Sequence, residues 1–249
     1  RCPKGVRQTR QTKHLSMPDL SVIVPAWNAE KNLALCLGSL TQQTLAGECY
    51  EIIVVDDGST DQTAEIARRF PVVYHYQKNQ GPAKARNVGV SLAKGNIIFF
   101  SDEDFVPDPD WLEEMAAPFA QADVVAVKGA YRTEQKSIIA RFAQVEFEER
   151  FSMLEQKKSI DMVDTYSAGF RKDIFISLGG FDTRFPRANN EDTEFSYRMA
   201  LLGYMMVFTP RALVRHLDHP DSALRYFRLK FGRGYWRLMV YRLHPERAI

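Results

Sequence analysis

The sequence predicts an α/β fold: a Rossmann-like, mostly parallel central sheet flanked by helices, followed by a basic amphipathic C-terminal helix. Two observations carry this. From Leu20 onward, short β-branched runs alternate with segments of helical period, the pattern of a parallel sheet covered by helices. The composition of the 249 residues, 45% hydrophobic and 26% charged, sits at the globular average and excludes disordered, collagen-like and coiled-coil chains. Such a length makes one large domain or two small ones, at about 100–200 residues per domain.

Each element has a local reason. Leu20 to Val24 (LSVIV) reads as a strand ending at Pro25, and Leu33, Leu37 and Leu40 recur on one helix face. Glu51 to Val55 is a second strand; Ser59 and Gln62 after it form a capping-box pattern that opens a helix through Ile66 and Phe70. Val72 to Tyr76 is the third strand. Gly81-Pro82 starts a helix with proline in its first turn, Ala85, Val88 and Leu92 share a face, and Gly95 fits its C-cap. Asn96 to Phe100 is the fourth strand, a short helix capped by Asp108 and Pro109 follows, and Val124 to Lys128 is the fifth strand. Then the rhythm changes. Ile138 to about Gln156 is a long helix, 157–164 is irregular, and Tyr166 to Phe170 is a short apolar piece. Phe195, Met199 and Leu202 mark a helix starting near Asn190, Met205–Phe208 and Leu213–Val214 read as two short strands, and Ala223 to Leu243 is helical and basic.

The charge balance, Lys+Arg 33 against Asp+Glu 31, gives no global case for a nucleic-acid binder. Cys2, Cys36 and Cys49 lack metal-ligand spacing and read as reduced thiols in a cytosol-facing protein. No apolar run approaches the roughly 18–20 residues of a bilayer span, so a soluble chain is expected, with residues 1–16 as a flexible basic arm.

In open α/β sheets ligands bind beyond the carboxyl ends of the strands, and three such ends here carry polar or acidic residues. They are Pro25-Ala26-Trp27-Asn28-Ala29-Glu30, Asp56-Asp57, and Asp102-Glu103-Asp104. Asp56-Asp57 fits equally a cap for the next helix. Asp102 and Asp104, two apart at a strand end, can converge on one hard cation, with Mg²⁺ or Mn²⁺ the natural guest. Neither GxGxxG nor GxxxxGK[ST] is present, which disfavours a dinucleotide fold or P-loop. Glu191-Asp192 opens a helix, where acidic residues also simply favour the macrodipole. His216 follows a strand-like piece.

These residues resemble the family 2 glycosyltransferases, with the nucleotide-diphospho-sugar transferase fold called GT-A. The resemblance runs from Leu20 to about His219 and rests on SVIVPAWNAEKNLALCLGSLTQQT, EIIVVDDGSTDQT, GPAKARNVGVSLAKGNIIFFSDEDFV and SAGFRKDIFISLGGFDTRFPRANNEDTEFSYRMALLGY in that order. It implies that Pro25, Ala26, Glu30, Asp56, Asp57, Lys84, Asp102 and Glu103 contact a nucleotide-sugar donor, that Asp104 and His216 hold Mn²⁺ or Mg²⁺, and that Asp192 is the general base. Gly169 and Glu191 fall on the acceptor side. The implied reaction inverts the anomeric centre and uses a UDP- or dTDP-sugar, with a glycan or lipid-linked saccharide as acceptor. Ser101 and Phe105 depart from the family's flanks to the DxD pattern. The QxxRW pattern of processive members is absent, although Tyr235-Trp236-Arg237 lies late in the chain, so a single-sugar transferase is expected. A non-catalytic sugar-nucleotide or membrane-surface binding module on the same fold is the alternative.

The expected organisation is an arm at 1–16, a GT-A domain at 17–221 with a nucleotide-sugar half (17–130) and an acceptor half (131–221), and a basic helix at 222–249. In that helix Arg225, Arg228, Lys230, Arg233, Arg237 and Arg242 interleave with aromatic and aliphatic residues. It suits peripheral contact with an anionic membrane from the cytoplasmic side. Docking of its aromatic face on the core suits it equally, and no nucleic-acid partner is expected.

Overall fold

Eight strands join in one sheet of order β3-β2-β1-β4-β7-β6-β8-β5. The computed structural model describes residues 19–185 and 190–247. The predicted arm and Cys2 lie outside the described residues. The strands are β1 (Leu20–Ala26), β2 (Tyr50–Asp56), β3 (Val73–Tyr76), β4 (Ile97–Ser101), β5 (Phe105–Pro107), β6 (Val124–Arg132), β7 (Ser167–Arg171) and β8 (Met205–His216). Between and after them run α1 (Leu33–Leu40), α2 (Thr63–Ala67), α3 (Pro82–Leu92), α4 (Trp111–Ala116), α5 (Ile138–Glu155), α6 (Lys172–Ser177), α7 (Glu191–Leu201) and α8 (Ala223–Leu243). β1 pairs in parallel with β2 and β4, β2 with β3, and β6 with β8, while β7 and β5 run antiparallel to their neighbours. The sheet is therefore mostly parallel, as its sequence rhythm predicts.

The parallel strands read as unbroken apolar runs because helices cover both faces. Val22, Ile23 and Val24 are fully buried. Adjacent residues of β4 point to opposite faces. Phe99 packs edge-on against Trp111 and Phe119, and Phe100 against Phe170, Phe175 and Phe181. The register sets Ala26 opposite Asp56 and Ser101 opposite Ser167, so the loops carrying the predicted site leave the sheet along one edge.

Several local expectations are corrected. Ser59 does not cap α2. Its hydroxyl accepts from the Asn28 N–H, and the Asp61 carboxylate takes the Thr63 N–H at the helix start instead. Gly95 is not a C-cap, since α3 ends at Ala93 in extended conformation. Gly95 is glycine because a Cβ there would lie 2.7 Å from the Leu20 carbonyl carbon. The cap residue of α4 is Asp110 rather than Asp108. The two short strands expected after Met205 are one strand, β8, whose register against β6 shifts twice. β5 and α6 were not foreseen. Cys36 is free and buried.

Among the described residues no helix is long and apolar enough to cross a membrane. α8 buries Val240 and rests half-buried Tyr226 and Trp236 against Phe142 and Phe185, while Phe227, Phe231 and Tyr235 stay exposed.

Candidate active site

The loops after β1 and β2 are sewn into one wall. Asn28 adopts a left-handed φ of 50°, a conformation asparagine tolerates, and its side-chain oxygen accepts the Thr60 N–H at 2.9 Å. The Ala29 N–H donates to the Thr63 hydroxyl, the Glu30 N–H to Asp61, and the Glu30 carboxylate accepts the Gln62 N–H at 3.2 Å. Pro25 and Ala26 close β1 beneath this wall and are buried. Asp56 and Asp57 are buried too, and the protein supplies their donors. Asp56 accepts from the Ser59 N–H and the Tyr74 hydroxyl. Asp57 accepts from the Gln77 side chain and from the Gln80 and Gly81 N–H groups. In the structure the acidic pair holds the donor-side loops in place. Lys84, in the first turn of α3, is partly buried and makes no ion pair among the described residues.

The centre of the site is a buried arginine that spacing did not reveal. Arg86 of α3 donates to Asp102 at 2.6 Å and to Glu191, 105 residues away in sequence, at 2.8 Å, joining the end of β4 to the start of α7. It can be buried because Ala83, Ala85 and Gly89 surround it on the inner face of α3. The signal was present: Arg86 shares the helical stripe of Ala83 and Val90, so a charge sits in register with a buried face.

Carboxyl groups outnumber cations here, and their protonation shows it. Burial and the neighbouring Asp104 and Asp102 push Glu103 up to about 8. Burial and Asp192 push Glu191 up to about 7 despite Arg86. Burial, with the Asp164 charge, raises Asp192 above the usual carboxylate range. Asp164 pairs with buried Lys128 of β6, which outweighs the effect of burial and holds Asp164 below that range. Sequence reading missed this pair, because Lys128 looked like a strand end and Asp164 lay in an irregular stretch. Asp192 itself accepts the Thr193 N–H at 2.7 Å and, at 3.4 Å, the Thr165 N–H.

Asp104 meets His216 at 3.2 Å from Oδ2 to Nε2, and β5 makes the meeting possible by pairing Phe105 with His216. The His216 ring stacks on Phe105 with centroids 4.3 Å apart and lies 4.7 Å from the ring of His219. His216 Nδ1 and both ring nitrogens of buried His219 have no hydrogen-bond partner. Burial and the nearby His216 lower His219 to about 4, so it is neutral near pH 7. Among the described residues no three His, Cys, Asp or Glu side chains form a ready metal cage.

The structure thus brings Asp102 and Glu191 together through Arg86, with Asp192 next to Glu191 at the start of α7, and Asp104 together with His216. Gly169 sits in the sheet interior opposite Phe99, where a Cβ would lie 2.7 Å from the Phe99 ring. Its small size serves packing.

A mostly parallel sheet with carboxylates gathered beyond β2 and β4 and facing an acidic helix start defines the GT-A class of α/β domain. The chain belongs to glycosyl transferase family 2, whose family model matches residues 21–179. It is similar to the glycosyltransferase AglE of Haloferax volcanii, 28% identical over 228 residues, covering 88% of this chain and 73% of that protein. Among solved structures it resembles the mannosyltransferase PcManGT of Pyrobaculum calidifontis in complex with GDP-Man and Mn²⁺. The TM-score is 0.69 at 23% identity, over 85% of this chain and 60% of that one. It also resembles TarS of S. aureus in complex with UDP-GlcNAc, with TM-score 0.62 at 22% identity, over 82% and 60%. The chain therefore spans 60% of the length of both solved chains.

Proposed function

We propose that the protein transfers a sugar from a nucleotide-diphospho-sugar to an acceptor hydroxyl with inversion, using Asp192 as general base. The single observation that carries this reading is the Arg86 bridge, which ties Asp102 at the donor-side strand end to the Glu191–Asp192 helix start. On this reading residues 17–130 form the donor half and 131–221 the acceptor half, and the acceptor is a glycan or a lipid-linked saccharide.

An acceptor hydroxyl is a weak nucleophile at neutral pH and gains from a carboxylate that takes its proton as the new bond forms. Asp192 suits this, because burial and the Asp164 charge make it a stronger base than an exposed aspartate. The hydroxyl oxygen bonds to the anomeric carbon, its proton passes to Asp192, and the bond to the diphosphate oxygen breaks with its electron pair leaving on the nucleotide. One in-line attack inverts the anomeric centre without a glycosyl-enzyme intermediate. Thr193 and Thr165 hold Asp192 in place through their N–H groups.

A divalent ion fits the residues present. Asp104 and His216 offer a carboxylate and an imidazole side by side. Mg²⁺ and Mn²⁺ commonly take one or two protein carboxylates and complete their shells with substrate phosphate and water. Bound by Asp104 and His216, such an ion would supply positive charge opposite the leaving diphosphate.

For the donor base we keep uridine or thymidine, whose N3–H a carboxylate of the Asp56–Asp57 pair can accept. Asp57 already receives three hydrogen bonds, so Asp56, with two, is the better candidate. The test is calorimetric titration with UDP, dTDP and GDP, with and without Mn²⁺, repeated on Asp104→Ala. The expected result is metal-dependent binding of a pyrimidine diphosphate that Asp104→Ala loses. Folded protein that binds no nucleotide under any metal condition would refute the transferase reading, and preference for GDP would refute the assignment of the base.

A further inference from the structure

α8 presents an apolar stripe to solvent. Leu224, Phe227, Phe231, Tyr235 and Leu238 are all exposed, the three aromatic residues by 68%, 78% and 62%. At 100° per residue these five fall within about 80° of arc, centred opposite Val240, the side chain that α8 buries. With roughly 150–250 Å² per aromatic side chain, the three rings alone leave on the order of 300–500 Å² in water. That already matches the largest apolar patch of a typical monomer, about 300–600 Å². Leu224 and Leu238 add to it. On the adjoining helix, exposed Ile138, Phe142 and Val145 of α5 extend the apolar surface where the Phe142 ring meets Tyr226.

The charges that α8 itself carries are all positive. α8 contains no acidic residue. Arg225 is engaged by Asp218 and Lys230 by Glu146, which fasten α8 to the domain. Arg228, beside the stripe, and Arg242, within its arc, make no ion pair among the described residues. Exposed aromatic residues on one side and unpaired arginines beside them suit a helix that lies in the plane of a membrane interface. A zipper between copies would instead favour aliphatic residues and charges of both signs along the seam.

We infer that α8 is an interfacial helix that seats this domain on a bilayer bearing anionic headgroups. The apolar stripe enters the headgroup–acyl boundary, and Arg228 and Arg242 meet lipid phosphates. The helix also borders the candidate site. The Arg233 carbonyl accepts from the Asn190 side chain, the residue that caps α7 ahead of Glu191 and Asp192. Glu194 of α7 meets His244 just beyond α8. A domain seated this way holds Asp192 close to the membrane surface, which suits an acceptor carried on a lipid.

The test is co-sedimentation of the chain with vesicles of phosphatidylcholine alone and of phosphatidylcholine with phosphatidylglycerol in equal parts, at low and high salt. Two double variants accompany it: Phe227→Ser with Phe231→Ser, and Arg228→Glu with Arg242→Glu. Thermal melts check that both remain folded. The expected result is binding to the anionic vesicles only, weakened by salt, and about tenfold or more weaker in each variant. Absence of binding, or equal binding to both vesicle types, overturns the inference. So does a dimer in analytical ultracentrifugation that the serine variant dissolves, because the stripe would then be an interface between copies. Nucleotide binding is a separate readout, so this inference and the transferase reading fail independently.

Discussion

Replacing Arg86 with methionine tests the bridge on which the site is built. Methionine keeps much of the apolar stem, but it removes the cation that donates to Asp102 at 2.6 Å and to Glu191 at 2.8 Å in a buried setting. Removing one partner of a buried ion pair costs about 3–5 kcal/mol, because the remaining charge is left uncompensated. Here Glu191, already raised to about 7, can take up a proton. The loss at neutral pH therefore falls near the low end, about 3 kcal/mol. For a domain of this size that lowers Tm by roughly 6–12 °C. The sign with pH follows. Without Arg86 the Glu191 carboxyl sits further above its unfolded value, so the folded variant binds more protons than the unfolded chain. Its stability is best below the unfolded glutamate range and falls as pH rises toward the raised Glu191 value. Melting followed by circular dichroism should show a small deficit near pH 5 and a large one near pH 7.5, partly recovered when Glu191→Gln is added. A Tm unchanged at both pH values, or a deficit larger at the lower pH, would refute the bridge.

Asp164→Asn removes a charge that raises Asp192, so the acid limb of the pH–rate profile should move to lower pH; an upward shift or none contradicts the assignment. Gly169→Ala should cost about 1–3 kcal/mol in urea unfolding, because its Cβ would press on the Phe99 ring, and should leave the acceptor KM unaltered. A changed acceptor KM at unchanged stability would return Gly169 to the acceptor site. His216→Ala should weaken nucleotide binding by about 10–100-fold in Mn²⁺ and leave it unaltered in EDTA; equal losses in both would make His216 a packing residue stacked on Phe105.

What the sequence revealed was whatever local pattern governs. Asp102 and Asp104 stood out because they follow the unbroken run Ile97–Phe100, and a buried strand must end where its polar residues begin. The parallel core was legible for the same reason. Contacts between distant segments were not. The pairing of Arg86 with Asp102 and Glu191 is set by how α3 packs over β1 and β2, which no local pattern shows. Lys128 looked like a strand terminus, yet β6 continues to Arg132 and buries it against Asp164. β5 is three residues long and owes its existence to pairing with β8, which no local periodicity announces. The Ser59–Gln62 capping box failed because Asp61 is nearer the helix start and Ser59 serves the Asn28 turn.

The central claim is that Asp192 takes the acceptor's proton and has no part in holding the donor. The most direct measurement is the rate of nucleoside diphosphate release by Asp192→Asn, taken together with its donor affinity in the same preparation. The expected rate is about 10²–10⁴-fold lower than that of the unaltered protein, with donor affinity preserved to within about twofold. An unaltered rate, or a loss of donor binding that accounts for the lost rate, would contradict it.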